Sequence, residues 1–381
     1  VAALTQDAIR SLACFKGQQA PVVTLYLDVD GRRHLRPRDY ELQLDHLLRA
    51  AREKADGKAP SEDLHRIEAH VKSGLDRSRV RGVAIFSCLP EGLWEVIELP
   101  VRVRNQLVVN TTPQVRQLEA IVDGHERFGV LLVDKQRARM FVFELGELVD
   151  KSELFDQLPR HDDDGGDWDK DHVRQHSAVQ ASHHLRRAAQ VAFTVFQERA
   201  FDHLVLGGHE ETVAEVEREL HSYLRDRVAA RLSLPATSGD AAICAAALEV
   251  EDGVERARHQ AVVERLREGT GVAGGVRQPP PGSRQAGVAG LEAVLATLFE
   301  RRVETLVVSA DYEAPGWRCP GCNLLAVRGR ACPACGAAMD QVEDVVEEAV
   351  EETLAQSGRV TVCAGIADLD VMGRIGALLR F

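Results

Sequence analysis

Four cysteines fall in two pairs of the same form, Cys319-Pro-Gly-Cys322 and Cys332-Pro-Ala-Cys335, with nine residues between the pairs. Each pair can place two thiolates on one tight turn, and four thiolates complete the tetrahedral shell of Zn²⁺. The residues that follow, Asn323 and Gly336, are the types that enter the left-handed region most readily, which lets backbone amides turn towards the sulfurs. Four cysteines leave no open coordination position, so the site reads as structural rather than catalytic. A rubredoxin-type iron site and an unmetallated redox pair are the alternatives for this spacing. The other cysteines, Cys14, Cys88, Cys244 and Cys363, are scattered. Cys88 and Cys363 sit in apolar strand-like runs and read as small buried hydrophobes.

A second cluster is acidic. Asp162, Asp163, Asp164, Asp167, Asp169 and Asp171 crowd the stretch His161 to Asp171 around Gly165-Gly166. Two-metal nucleases hold such carboxylates on rigid core strands, whereas this stretch reads as a loop, which argues against nuclease chemistry. His172 and His176 are four residues apart and His183 and His184 follow, but no third ligand or glutamate is arranged with them as in a zinc hydrolase. They read as a polar helix surface. No P-loop or nucleophile elbow is present, and Gly207-Gly208 lacks the rest of a dinucleotide fingerprint.

These groups must be carried by about two to three domains, given 381 residues. Hydrophobic content of 45% supports well-formed cores, built on aliphatic residues because only 5% is aromatic. The apolar runs are strand-sized and too short to cross a membrane. The first twenty residues include Asp7, Arg10 and Lys16 and lack a signal-peptide core, so a cytoplasmic protein is expected. A net charge of −12 excludes nucleic-acid binding through the whole surface, because phosphate contacts need cations. Any RNA contact must come from local patches: Arg32, Arg33, His34, Arg36 and Arg38, then Arg102 and Arg104, then Arg186 and Arg187, and Arg328 and Arg330.

The pattern predicts an α/β protein. An N-terminal α/β domain is expected over 1–123. It has a strand at Val22–Leu27, helices at Asp39–Arg52 and Ser61–Gly74 with Ser61 as cap, and strands at Val83–Ser87, Trp94–Leu99 and Gln106–Val109. A middle domain over 124–268 opens with a hairpin, Phe128–Val133 and Met140–Glu144, and a short strand Glu147–Val149. A helix from about His172 to Glu198 follows, with Leu185, Ala188, Ala192 and Phe196 on one face. Strand Leu204–Leu206, helix Glu210–Leu220 and a helical stretch Leu248–Arg267 complete it. Three antiparallel strands before helix–strand–helix is a ribonuclease-H-like order. A Gly/Pro-rich linker is expected over 269–284. A C-terminal α/β domain over 285–381 has helices Leu291–Phe299 and Val342–Gln356 and strands Val303–Ser309, Val360–Cys363 and Ile375–Phe381, with the cysteine cluster inserted at 311–338.

Three of these features together resemble the archaeo-eukaryotic class-one peptide-chain release factors and their relative Pelota, in a bacterial branch. The stretch Gly373-Arg374-Ile375-Gly376-Ala377-Leu378-Leu379-Arg380-Phe381 is similar to the family's closing Gly-Gly-Ile-Ala-Ala-Leu-Leu-Arg-Tyr strand, departing at Arg374, Gly376 and Phe381. The cysteine insertion after Thr305–Ser309 resembles the zinc knuckle of archaeal members. The three-domain order, with a glycine loop before a long Arg-containing helix, is also similar. The resemblance implies a ribosome-binding translation factor acting at the A site in hibernation or rescue, with rRNA as partner and a translational GTPase as a further one. In that family a Gly-Gly-Gln loop positions water against the peptidyl-tRNA ester. Here Gly165 and Gly166 match the glycines, but Asp167 stands third, lacking the amide and adding charge that rRNA phosphates repel. An Asn-Ile-Lys-Ser element for stop-codon reading is absent, so codon-dependent termination is not expected. The resemblance implies phosphate contacts at Arg32, Arg33 and Arg36 and along Arg186 and Arg187. A codon-independent peptidyl-tRNA hydrolase using Gly165-Gly166, and an adaptor with a relic release-factor fold, are the rival readings.

Overall fold

The computed structural model describes residues 6–17, 20–31, 33–34, 36–54, 60–76, 80–124, 126–144, 147–155, 167–271 and 286–380. The chain forms two compact units, one from Val1–Gly124 with Ala257–Phe381 and one from His125–Arg256.

In chain order the first unit begins with α1 (Gln6–Cys14), β1 (Val22–Asp28), α2 (Pro37–Lys54), α3 (Ser61–Lys72), β2 (Gly82–Cys88), β3 (Leu93–Leu99), β4 (Gln106–Asn110) and α4 (Arg116–Asp123). The four strands form an antiparallel sheet of order β3-β2-β1-β4. All seven residues of β1 and of β2 are buried, because both faces of this sheet are covered. Val23, Leu25 and Leu27 pack with Tyr40, Leu44 and Leu48 of α2 and Leu64, Ile67 and Val71 of α3. Tyr26, Ala84 and Phe86 face the opposite way, into a core that includes Ile9 and Leu12 of α1 and Leu118 of α4. Ser61 is not the cap of α3. Pro60 takes that position, with no side-chain cap hydrogen bond, and one of the two acids of the first turn, Asp63, is buried and accepts from Ser87 Oγ and the Leu89 amide instead.

The second unit contains β5 (Phe128–Val133), β6 (Arg137–Glu144), β7 (Glu147–Phe155), α5 (Asp167–Arg199), β8 (His203–Gly208), α6 (Glu210–Glu219), α7 (Ser222–Arg225), β9 (Val228–Leu232) and the first half of α8 (Asp240–Gly269). Its sheet order is β7-β6-β5-β8-β9. The β5–β6 and β6–β7 pairs are antiparallel, and the β5–β8 and β8–β9 pairs are parallel. That is the ribonuclease-H-like arrangement expected from the element order. Leu185, Ala188 and Ala192 of α5 are buried against Leu131, Met140 and Leu206. Ile243 and Ala247 of α8 cover the other face with Phe128, Phe141 and Val205. Two expectations are corrected. The long helix starts at Asp167, not His172. His184 is not surface: it is 1% exposed, brought inward beside Leu185.

The chain returns to the first unit through the second half of α8, then β10 (Gly287–Ala289), α9 (Leu291–Phe299), β11 (Val303–Ser309), β12 (Gly316–Arg318), β13 (Leu325–Ala326), β14 (Asp340–Val342), α10 (Val345–Ala355), β15 (Arg359–Cys363), α11 (Ala367–Val371) and β16 (Ile375–Leu379). The sheet order is β10-β16-β11-β15, so the closing strand lies inside the sheet. Two of its departures from the family pattern have a structural reading. Arg374 has φ 66, a left-handed position that a glycine takes without strain. Gly376 has no room for a side chain: a Cβ there would meet Leu266 Cδ2 of α8 at 2.4 Å and the Val288 carbonyl at 3.0 Å. Gly376→Ala is therefore expected to destabilise the chain by about 1–3 kcal/mol in a denaturant melt. Much of that loss should return in the Gly376→Ala, Leu266→Ala pair, relative to Leu266→Ala alone, if Leu266 sets the limit.

Candidate functional site

The cysteine insertion is a pair of matched turns on a three-stranded sheet of order β13-β12-β14. In the first turn the Cys319 amide donates to the Leu324 carbonyl and the Asn323 amide to the Cys319 carbonyl, both at 2.9 Å. In the second, Cys332 donates to Ala337 and Gly336 to Cys332, both at 2.8 Å. The same closure needs a left-handed residue at the same place, and Asn323 has φ 58 and Gly336 φ 77. The turns aim amides at sulfur as the sequence predicts. Leu324 bonds Cys322, Ala334 and Cys335 bond Cys332, and Ala337 bonds Cys335.

The four Sγ atoms lie within 4.8 Å of one another. Cys319 and Cys335 approach to 3.4 Å, and Cys322 and Cys332 to 3.5 Å. A metal–thiolate bond of about 2.3 Å implies tetrahedral edges near 3.8 Å, whereas a disulfide would need about 2.05 Å. The donor set therefore fits one metal ion of tetrahedral preference, held by all four cysteines. Its local core is small: Cys319, Cys332 and Met339 are buried, with Trp317 and Leu324 packed beside them.

The base of the insertion is tied to α10. Arg318 Nη1 lies 2.6 Å from Glu348 Oε2, and Val345 donates to the Ala314 carbonyl at 2.8 Å. Asp344 caps α10 through the Val346 amide and also accepts from Ala314. On the next turn, Glu347 Oε1 accepts from the amides of Val115 (2.7 Å) and Arg116 (3.0 Å) at the start of α4. Arg116 completes the group. Its Nε is 3.4 Å from Glu347 Oε2, its Nη2 3.4 Å from Asp344, and its Nη1 donates to the Tyr312 carbonyl at 2.7 Å. Burial, only partly offset by the Arg116 charge and those amides, pushes the Glu347 carboxyl up to about 7. Glu351 is pushed well up by burial and then by the charges of Glu348 and Glu347. This joint links parts of the chain more than 200 residues apart, and sequence reasoning did not find it.

The expected RNA contacts are placed as follows. Arg33 is exposed, with Nη1 3.6 Å from Asp28, and Arg36 and Arg38 are exposed at the start of α2. Arg32 lies outside the described residues. Arg186 and Arg187 are exposed on α5, Arg186 bonding Glu219 at 3.1 Å. Arg104 reaches Asp311 and Glu313 at 3.6 and 3.8 Å. Arg328 and Arg330 are exposed on the insertion. Gly165 and Gly166 lie outside the described residues, and Asp167 is the first residue of α5 rather than part of a loop. Among the described residues no helix is long and apolar enough to cross a membrane.

The class of protein is thus an α/β chain with a ribonuclease-H-like middle sheet and a four-cysteine insertion in a C-terminal α/β layer. Residues 113–252 match the model of the family described as bacterial archaeo-eukaryotic release factor family 10. Among solved structures it is similar to an archaeal translation termination factor, aRF1, at 14% identity over 99% of this chain and 98% of that one, with a TM-score of 0.26. It is also similar to an archaeal Pelota described as ribosome-bound with ABCE1, at 12% identity over 100% and 95%, TM-score 0.39. A third is Dom34 of S. cerevisiae, described as a translation termination-like factor, at 6% identity over 79% of each chain, TM-score 0.36. No curated protein matches the chain in sequence.

Proposed function

We propose that the chain is a non-enzymatic ribosome-binding factor that enters the A site in dormancy or on stalled ribosomes, without reading a stop codon. The observation that carries this reading is the release-factor family match across 113–252, which spans the five-stranded sheet and α5. Three domains, 1–123, 124–268 and 285–381, divide the work. The first approaches the decoding centre with Arg32, Arg33 and Arg36. The second presents Arg186 and Arg187 along the tRNA-like path. The third engages a translational GTPase, and a zinc ion on the four cysteines stiffens its insertion. Asp167 in place of a glutamine speaks against hydrolysis of the peptidyl-tRNA ester, since a carboxylate offers no donor there.

Co-sedimentation with bacterial ribosomes across a salt series tests the reading. Near-stoichiometric pelleting at physiological salt, weakening as salt rises, is expected. Charge reversal at Arg32, Arg33 and Arg36 together should weaken binding by about tenfold or more. Absence from the pellet at every salt, with the protein folded and metal-loaded, would favour the adaptor reading. Peptide release from stalled complexes that is lost on Gly165→Ala or Gly166→Ala would favour the hydrolase.

A further inference from the structure

One pocket of the first unit, of about 210 Å³, is lined by four arginines from three segments: Arg10 of α1, Arg258 and Arg265 of α8, and Arg359 of β15. Arg258 and Arg265 are seven residues apart on a helix, with Val262 between them also lining the pocket. They therefore share one face, two turns or about 10 Å apart. Arg10 and Arg258 are half-buried, while Arg265 and Arg359 stand exposed at the rim. The wall opposite α8 is polar. Thr305 pairs with Arg359, and Val307 with Thr361, in the parallel β11–β15 register, so Thr305, Arg359 and Thr361 project from the same face of the sheet. Both threonines are buried and line the pocket.

Among the described residues the lining holds two acids, Glu119 and Glu304, and Glu304 lies 3.2 Å from Arg359. Four guanidiniums and two carboxylates thus line this pocket, in a chain whose net charge is −12. Another pocket, about 240 Å³, also has three arginines, two of which are held by acids. Its Arg116 is held by Glu347 and Asp344, its Arg104 by Asp311 and Glu313, and its glutamines bond one another. Guanidinium forks and hydroxyl donors converging on one concavity match the tetrahedral oxygens of a phosphate group. For scale, a cavity of about 150 Å³ takes a benzene ring, so the space suits a small solute rather than a polymer.

We propose that this pocket binds a small phosphate-bearing anion, either free phosphate or a compact phosphate monoester. This does not depend on the ribosome reading. The test is isothermal titration of the full-length, metal-loaded chain with inorganic phosphate and separately with glycerol 3-phosphate, at constant ionic strength and with chloride as control. Saturable one-to-one binding with a Kd of about 0.1–1 mM is expected for at least one of them, the stronger of the two identifying the source. The exposed-rim variant Arg265→Ala should weaken it by about tenfold, and Arg49→Ala, at an exposed position of α2, should leave it unchanged. No saturable heat up to about 10 mM would overturn the proposal. Equal affinity in the wild type and a folded Arg265→Ala, Arg359→Ala chain would also overturn it. So would binding of a 5′-phosphorylated RNA oligomer with none of either small anion.

Discussion

A Cys319→Ser, Cys332→Ser chain is expected to retain less than a tenth of an equivalent of zinc by elemental mass spectrometry, against one equivalent in the wild type. Cys319 and Cys332 are the buried members of the two pairs, so their loss removes one ligand from each turn and half of the donor set. Apart from Leu325, which packs into the main core, and its ties to α10, the insertion folds on a small core of its own. Its buried core comprises Cys319, Cys332 and Met339, far below what a small domain needs without a metal or disulfide. Structural zinc sites of this type supply on the order of 10 kcal/mol of apparent binding energy at neutral pH. Amide protection in Gly316–Arg318, Leu325–Ala326 and Asp340–Val342 should therefore fall by about 100-fold or more in the variant. Protection in β11 and β15 should hold, because those strands pack in the main C-terminal core through Leu306, Val308, Val360 and Val362. A variant that kept a full equivalent of zinc, or kept protection in the three short strands, would remove the metal from the account of this fold.

Breaking the Arg116 joint should have the next largest effect, and the effect should depend on pH. Glu347 is 2% exposed and Asp344 is also shielded, so Arg116→Met leaves carboxylates with no cation beside them. Removing one partner of a buried pair costs about 3–5 kcal/mol. That cost applies where Glu347 is ionised. Its carboxyl is raised to about 7 from an ordinary value of 4.5, so the stability associated with the shift is fully present below about 4.5 and is lost as pH rises through 7. The Arg116→Met loss should thus be near its full size at pH 8 and clearly smaller at pH 5.5, where a neutral Glu347 asks less of its partner.

Glu347→Gln isolates the same group from the other side. Between pH 5.5 and 8 this variant should gain about 2 kcal/mol relative to the wild type, since the wild-type carboxyl must ionise in place and the amide need not. Urea melts of both variants at the two pH values supply the comparison. An Arg116→Met loss of equal size at both pH values, or a Glu347→Gln chain that tracks the wild type, would show that Glu347 is ionised throughout.

The cysteine site was almost wholly legible in the sequence. Two Cys-Pro-x-Cys pairs, each followed by a residue that tolerates positive φ, define a local geometry in which every contact lies within a few residues. The apolar runs of β1, β2, β5, β8 and β11 were legible for a related reason, because burial on both faces leaves few polar residues in a strand. The closing strand could be read from its own pattern, but the room denied to a side chain at Gly376 could not, since that limit is set by Leu266 on another helix.

What the sequence left open was decided by partners distant along the chain. Short α1 and α4 have too few turns to stand alone and persist through Ile9, Leu12 and Leu118 in a shared core. Glu347, Glu348 and Glu351 fall within five residues of one helix, and all three are buried. Arg116 and Arg318 reach Glu347 and Glu348 from elements that the chain order does not place beside α10. The arginine pocket likewise exists only where α1, α8 and β15 converge. Local chemistry was therefore determined by spacing alone, whereas the burial and pairing of charge were decided by the tertiary fold, because desolvation depends on what covers a group and not on its neighbours in sequence.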